Sequence, residues 1–161
     1  MDIKKLPNDV IYDVLMHLDH VDDILVLCHA NHFYHDVCES VHFWQSYFQL
    51  HHIPYNITFT VHDYIRFGKW FQMHQLPYDK TLTVHDYIDY VNRIMDILER
   101  LNQYRMYFEL DGVLYHIEKQ PNGSYFFNKP FEQGGLEKNE TQIKQILFYV
   151  LKDNLNYSFV V

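Results

Sequence analysis

Glycine and serine are scarce in this chain, which removes the commonest nucleotide-binding and hydrolase motifs. The five glycines among 161 residues stand at positions 68, 112, 123, 134 and 135, so no glycine-rich loop that cradles a phosphate can be drawn. None of the four serines lies in a Gly-x-Ser-x-Gly nucleophile elbow. No pair of carboxylates stands out from the charge expected on solvated helix faces. We therefore expect a protein that is not an enzyme and that uses no cofactor.

Positive charge is scarce as well, with 13 Lys and Arg against 21 Asp and Glu and a formal charge of −8. Duplex nucleic acid and anionic membranes are bound by clustered Lys and Arg, which replace counterions, and no such cluster is present. We expect neither nucleic acid nor a membrane as a partner. Residues 1–50 hold 2 basic and 8 acidic residues, a charge of −6, whereas 51–102 and 103–161 carry −1 each. This asymmetry predicts a separate N-terminal unit that ends near residue 50 and whose partner is not acidic.

Long apolar runs are missing, and cysteine is rare. No stretch reaches the roughly 18 uninterrupted apolar residues of a membrane span, and the first thirty residues do not have the pattern of a signal peptide. We expect a soluble intracellular protein, cytoplasmic or nuclear. With no sign of secretion, Cys28 and Cys38 are expected to be reduced thiols.

Apolar and aromatic residues, by contrast, are plentiful. Hydrophobic residues make up 48% of the chain, including 14 Tyr and 12 Phe, so a buried core is expected and disorder is not. In the first fifty residues, apolar residues recur with helical spacing in several short segments. The first segment starts at Leu6-Pro7 and continues through Ile11, Val14, Leu15 and Leu18, which is typical of an amphipathic helix. Helices this short are not stable alone and must pack on one another or on a partner.

The order of residues in this region resembles the F-box, the module by which substrate-recruiting proteins dock onto the Skp-type adaptor of cullin ubiquitin ligases. The resemblance covers about residues 4–50 and rests on these positions: Leu6, Pro7, Val10, Ile11, Val14, Leu15, Leu18, Asp23, Ile24, Leu25, Leu27, Cys28, Asn31, Tyr34, Cys38, Phe43 and Trp44. The run from Leu27-Cys28 to Phe43-Trp44 is most similar to the F-box-like proteins of large DNA viruses. One departure is that His29, His32 and His35 stand where such modules usually carry Arg or Lys.

The resemblance implies an apolar surface that binds a Skp-type adaptor. The residues it assigns to that surface are Leu6, Pro7, Ile11, Leu15, Leu18, Ile24, Leu25 and Trp44, of which some are expected to hold the bundle together instead. It further implies that the rest of the chain recruits a protein target for ubiquitin-dependent degradation, a host factor if the protein is viral.

A histidine and cysteine cluster overlaps this region. Cys28, His32, His35 and Cys38 supply the thiolate and imidazole ligands that zinc prefers. One helical stripe, however, cannot wrap four ligands around a metal, and an F-box-like module assigns both cysteines to its core. We therefore expect no metal, and zinc stays open as the weaker alternative.

The middle of the chain contains a short repeat. Residues 53–65 and 76–88 share nine of thirteen positions, including Thr-Val-His-Asp-Tyr-Ile in each copy. The pattern predicts that Thr60 and Thr83 cap two helices whose third residues are Asp63 and Asp86. Two copies are too few for a solenoid, so a local duplication of a helix start is the favoured interpretation. A paired His-Asp acid/base or metal site is the weaker one.

The last sixty residues predict a small sheet and a helix. Alternating patterns over 104–110 and 113–118 flank Asp111-Gly112, a two-residue hairpin signal, and a third strand is expected at 124–128. Asn139 and Gln142 form a capping pair before an amphipathic helix, and 157–161 could return as a strand.

Together these patterns predict an α+β fold in two parts. Residues 1–50 would form an F-box-like helical module. Residues 51–161 would form an α+β domain with the repeat (53–65 and 76–88), and a β-meander and helix (104–161). The predicted function is that of an F-box-type adaptor with a Skp-type subunit and a protein target as partners. A structural or scaffold protein, whose helices mediate assembly without a ligase, and a small zinc-dependent enzyme or regulator are the alternatives.

Overall fold

The computed structural model describes residues 8–129 and 135–161, and in these ranges it contains seven helices and five strands. The helices are α1 (Asn8–Met16), α2 (Val21–Ala30), α3 (His32–Cys38), α4 (Val41–Leu50), α5 (Val61–His74), α6 (Val84–Arg100) and α7 (Glu140–Lys152). The strands are β1 (Arg105–Leu110), β2 (Val113–Lys119), β3 (Tyr125–Asn128), β4 (Leu136–Lys138) and β5 (Tyr157–Val160). The predicted α+β class is confirmed. Among the helices of the described ranges, none combines the length and apolar character needed to cross a membrane.

The chain divides into two compact units, Met1–His85 and Asp86–Val161, with the division at the start of α6. The sequence places its boundary near residue 50 instead. The difference arises because α5, which follows that boundary, packs against α4. The centroid of the Phe48 ring lies 5.0 Å from that of Tyr64 and 6.3 Å from that of Phe67. The first repeat helix therefore shares its core with the N-terminal helices.

A side-chain clamp also ties α5 to the connection between α1 and α2. Gln72 Oε1 accepts a 2.8 Å hydrogen bond from the backbone N–H of Val21, and its Nε2 donates a 3.0 Å bond to the carbonyl of Asp19. One amide side chain thereby satisfies both a free donor at the start of α2 and a free acceptor just before it.

Capping residues start the helices largely where their sequence signals predict. In α5, Asp63 N–H donates to Thr60 Oγ1 (3.2 Å) and Thr60 N–H donates to Asp63 Oδ2 (3.0 Å), which is the predicted capping box. The same reciprocal pair forms between Asn139 and Gln142 at the start of α7. In the second repeat, α6 begins at Val84, directly after the predicted cap Thr83.

The second unit contains a five-stranded antiparallel sheet with strand order β4-β3-β2-β1-β5. The predicted hairpin is present: Leu110 pairs with Val113, and Asp111 and Gly112 form the turn with φ values of 52° and 77°. Positive φ at both central residues is the condition for a type I′ turn, which explains the Asp-Gly dipeptide. The strand predicted over 157–161 is present as β5 and pairs with β1.

The thiol prediction is wrong in this structure. Cys28 and Cys38 form a disulfide, with their Cα atoms 6.4 Å apart. The expectation of reduced thiols rested on the lack of a secretion signal, which carries no information on geometry. The turn between α2 and α3 brings the ends of these helices together, at a separation that a disulfide spans.

Candidate partner-binding surfaces

Helix α1 carries two apolar stripes side by side. Ile11 and Leu15 face the bundle and are buried, whereas Val10 and Val14 are 40% and 41% exposed. A helix that packs on one side only needs a single apolar stripe, with polar residues on the opposite face. Val10 and Val14, hereafter the outer stripe of α1, are thus apolar residues that bundle packing covers only in part.

The residues that the F-box resemblance assigns to adaptor binding separate into three groups. Four of them lie in the core of the bundle and do not reach the surface: Ile11, Leu15, Ile24 and Trp44. Leu18 and Leu25 are half-buried and so present part of their side chains to solvent. Leu6 and Pro7 lie outside the described residues.

Trp44 is a structural residue of the bundle. Its indole Nε1 donates a 2.8 Å hydrogen bond to the carbonyl of Cys38, and its ring contacts Phe43 and Tyr47 edge-on at centroid distances of 5.1 and 5.9 Å. A buried indole whose N–H is satisfied in this way fixes α4 against the end of α3.

A groove of about 440 Å³ runs between α1, α3 and the start of α4. Its lining combines aromatic, apolar and polar side chains: Tyr12, His32, Phe33, Asp36, Val37, Ser40 and Phe43. Tyr12 packs edge-on against Phe43 at 5.4 Å and forms one wall. Half-buried aromatic rings beside a cleft are the side chains that anchor protein partners most effectively.

The surroundings of these helices are acidic. The exposed carboxylates nearest in sequence to the outer stripe are Asp9, Asp13, Asp19, Asp22 and Asp23. Tyr47, whose hydroxyl donates a 2.7 Å bond to the carbonyl of Leu18, has a pKa raised above its usual value. Burial is the main cause; Gln72 opposes the shift, and Asp19 and Asp23 add to it. A partner of this face would be apolar at its centre and basic or neutral at its rim.

The structure gives no support to the zinc alternative. The two cysteines are joined to each other, and His35 Nε2 lies 3.3 Å from Glu39 Oε1 at the surface. Within 8–129 and 135–161, no group of three or more His, Cys, Asp or Glu residues is placed to hold a metal ion.

In the first copy of the repeat, the His-Asp pair does not converge on one site. The carboxylate of Asp63 is engaged by the backbone of Thr60, and the neighbouring His62 is exposed. Between the leads of the two repeats lies a cavity of about 350 Å³, whose polar side chains include Asp63, Arg66, Lys80 and His85. Each copy of the repeat contains the start of a helix, α5 at Val61 and α6 at Val84.

The second unit has its own apolar groove, of about 530 Å³, between the sheet and α7. Three rings from β1, β2 and β3, those of Phe108, Tyr115 and Phe127, lie nearly parallel, with interplanar angles of 5° to 12° and centroids 5.4 to 6.1 Å apart. Polar side chains of β4 and α7, including Lys138 and Gln142, stand in the same lining. We call this feature the sheet–α7 groove.

Two of these surface features escape analysis of the sequence alone. Val14 fits the apolar periodicity of α1 as well as Leu15 does, so the pattern cannot tell the buried stripe from the exposed one. The available signal is that apolar residues at 10, 11, 14 and 15 make a face wider than one packing contact needs. For the sheet–α7 groove, the signal is the alternation of aromatic residues in adjacent strands.

The chain matches no protein-family model, no curated protein and no solved structure.

Proposed function

We propose that this chain is a non-catalytic adaptor of the F-box type, which docks a Skp-type subunit of a cullin ubiquitin ligase through α1 and recruits a protein target through its second compact unit. The proposal rests on the sequence resemblance over residues 4–50 together with the fold of the helices in that region.

One observation carries the proposal: α1 has a second apolar stripe that its own bundle covers only in part, leaving Val10 and Val14 40% and 41% exposed. Burying an exposed apolar side chain contributes about 25 cal/mol per Å² removed from water, so Val10 and Val14 represent binding energy that the isolated chain does not use. Their place on the helix that follows Leu6-Pro7 is where the F-box resemblance expects an adaptor contact.

The burial of Ile11, Leu15, Ile24 and Trp44 refines this proposal. These residues support docking indirectly, by holding α1 in position. The contact itself is assigned to the outer stripe, with Leu18 and Leu25 at its margin and Leu6-Pro7 preceding it.

For the target, we assign binding to the sheet–α7 groove. Its parallel aromatic rings offer the large, rigid contact area that dominates protein recognition, and its polar rim can set orientation. The proposed target is a protein that presents an apolar side chain to this groove.

The test for docking is a titration of the whole chain against a purified Skp-type subunit. Val10→Glu combined with Val14→Glu keeps helix-forming residues at exposed positions but should weaken binding about tenfold, since burying the exposed two-fifths of the two valines corresponds to about 1–2 kcal/mol. Leu6→Ala combined with Pro7→Ala should also abolish binding while the second unit stays folded.

The matched control is Val113→Glu. Val113 is 38% exposed and lies in the hairpin of the second unit, so it is the same residue type with nearly the same exposure. We expect it to bind the Skp-type subunit as the parent does. A folded parent chain with no affinity for that subunit would overturn the adaptor proposal and favour the scaffold alternative. If Val113→Glu weakens binding as much as Val10→Glu with Val14→Glu does, the role of the outer stripe is refuted.

A further inference from the structure

Strand β5 forms one edge of the sheet. Half of the backbone N–H and C=O groups of β5 point away from β1 and out of the sheet. Glu109 N–H donates a 3.1 Å hydrogen bond to the carbonyl of Asn156, and the register pairs Tyr107 with Ser158 and Arg105 with Val160. Hydrogen-bonded pairs alternate along an antiparallel ladder. The backbone groups of Ser158 and Val160 therefore face β1, and those of Tyr157 and Phe159 face outward from the sheet.

This edge lacks the features that usually protect an edge strand from pairing. Tyr157, Ser158, Phe159 and Val160 include no charge and no proline, and Tyr157 and Val160 are 40% and 48% exposed. Natural edges are blunted by lysine, proline, bulges or very short strands.

The opposite edge is protected. Strand β4 has only three residues, two of which, Glu137 and Lys138, are charged. The Glu137 carboxylate is held by Ser124 at 2.6 Å and by Asn122 at 3.2 Å, and these hydrogen bonds lower its pKa so that it stays ionised. Among the described residues of the second unit, no strand pairs with the outer side of β5, and β5 has none of the charges that protect β4.

We propose that β5 pairs antiparallel with β5 of a second copy of this chain, so that two five-stranded sheets form one continuous sheet. In the register that centres on the outward-facing backbone, Phe159 lies opposite Phe159 of the partner subunit. Ser158 then lies opposite Val160 of the partner subunit, and Tyr157 lies opposite Val161 of the partner subunit.

A second copy is the occupant because the strand is complementary to itself. With no charge in the segment, antiparallel self-pairing opposes no like charges, and it sets aromatic and β-branched side chains against one another. The Phe159 ring is already fixed, because the Arg100 guanidinium carbon lies 4.2 Å from its centroid. The pairing is isologous because both copies use the same strand, so it closes at a dimer, and the protected β4 edge does not support further growth of the sheet.

Residue-specific amide exchange tests the register. The amide protons of Ser158 and Val160 bond to β1 and should be protected at every protein concentration. Those of Tyr157 and Phe159 should be protected only at concentrations where sedimentation equilibrium shows a dimer. A chain that stays monomeric, or a dimer in which exchange at Tyr157 and Phe159 does not change, would overturn the proposal.

Two matched double variants test the pairing by charge. Ser158→Glu with Val160→Glu places like charges opposite each other twice, and should weaken the dimer about tenfold. Ser158→Lys with Val160→Glu places opposite charges at the same positions and should dimerise at least as tightly as the parent. Both variants share the Val160→Glu substitution, so the contact of residue 160 with Arg105 of β1 is matched, and they differ only at residue 158, which pairs with Tyr107. Equal dimerisation by the two variants would refute this register.

Discussion

Gly68 of α5 faces Phe48 of α4 so closely that a Cβ atom on residue 68 would lie 3.0 Å from Phe48 Cζ. The same atom would also lie 3.0 Å from Cγ2 of Val21, on α2. The approach of α5 to two other helices thus depends on the absence of a side chain at this position. This close approach helps to explain why the first compact unit extends well past residue 50 and includes α5.

We predict that Gly68→Ala destabilises the chain, although alanine in an exposed helix interior would stabilise it by about 1 kcal/mol relative to glycine. Overpacking a dense core costs about 1–3 kcal/mol, and the Phe48 ring is itself fully buried and has little room to move. Urea unfolding should show a net loss of up to about 2 kcal/mol. Met73→Ala, at an exposed position of the same helix, is the control and should change little; an increase in stability for Gly68→Ala would contradict the contact.

Neighbouring residues of α1 should respond differently to truncation. Leu15→Ala removes a fully buried side chain and should cost about 2–5 kcal/mol of unfolding free energy. Val14→Ala, one position earlier, should change stability by less than about 0.5 kcal/mol because its side chain is exposed. If Val14→Ala proves as damaging as Leu15→Ala, Val14 is a core residue and the outer stripe does not exist.

Features that depend on a few neighbouring residues could be predicted from the sequence. The Thr60–Asp63 and Asn139–Gln142 capping boxes and the Asp111-Gly112 turn were all placed correctly, because each is stabilised by contacts within four residues. The strand β5 was also expected, since its alternating apolar residues follow a turn.

Features decided by tertiary contacts could not be predicted. Asp22 and Asp23 are good capping residues, yet α2 begins at Val21, whose N–H is bonded by Gln72 from a helix some fifty residues away in sequence. Likewise, the periodicity of α1 does not say which of its two apolar stripes is buried. The disulfide was missed for a related reason, because cysteine spacing does not report which helix ends meet.

The disulfide leads to a prediction about stability. A bridge between residues ten apart constrains a short loop of the unfolded chain, and chain-entropy estimates give it about 3 kcal/mol. We expect no reactive thiol in the denatured, unreduced protein and a loss of about that free energy when reductant is added or when both cysteines are replaced by serine. Two titratable thiols in protein that was never reduced would show that Cys28 and Cys38 are unpaired.

Three tyrosines, of which Tyr47 and Tyr64 are buried and Tyr78 is half-buried, predict that the first compact unit loses stability at high pH. Burial is the largest cause of the raised pKa values of Tyr47, Tyr64 and Tyr78, so each holds its proton more tightly in the folded chain than in the unfolded one. Their contribution is fully present below the unfolded value of about 10 and is lost as pH rises through the higher folded value. Urea midpoints should therefore be level from neutral pH to about pH 9 and fall above about pH 10.

Tyr47→Phe isolates one of these groups. The variant loses the bond to Leu18 and should be less stable by about 1 kcal/mol at neutral pH, but its urea midpoint should fall less steeply above about pH 10 than that of the parent. Tyr149→Phe is the comparison, because Tyr149 is exposed at the surface of α7 and the largest cause of its raised pKa is a hydrogen bond to Asp153, with burial a smaller one. If the alkaline slope of Tyr47→Phe equals that of the parent, burial of the Tyr47 hydroxyl does not contribute to the pH dependence of folding.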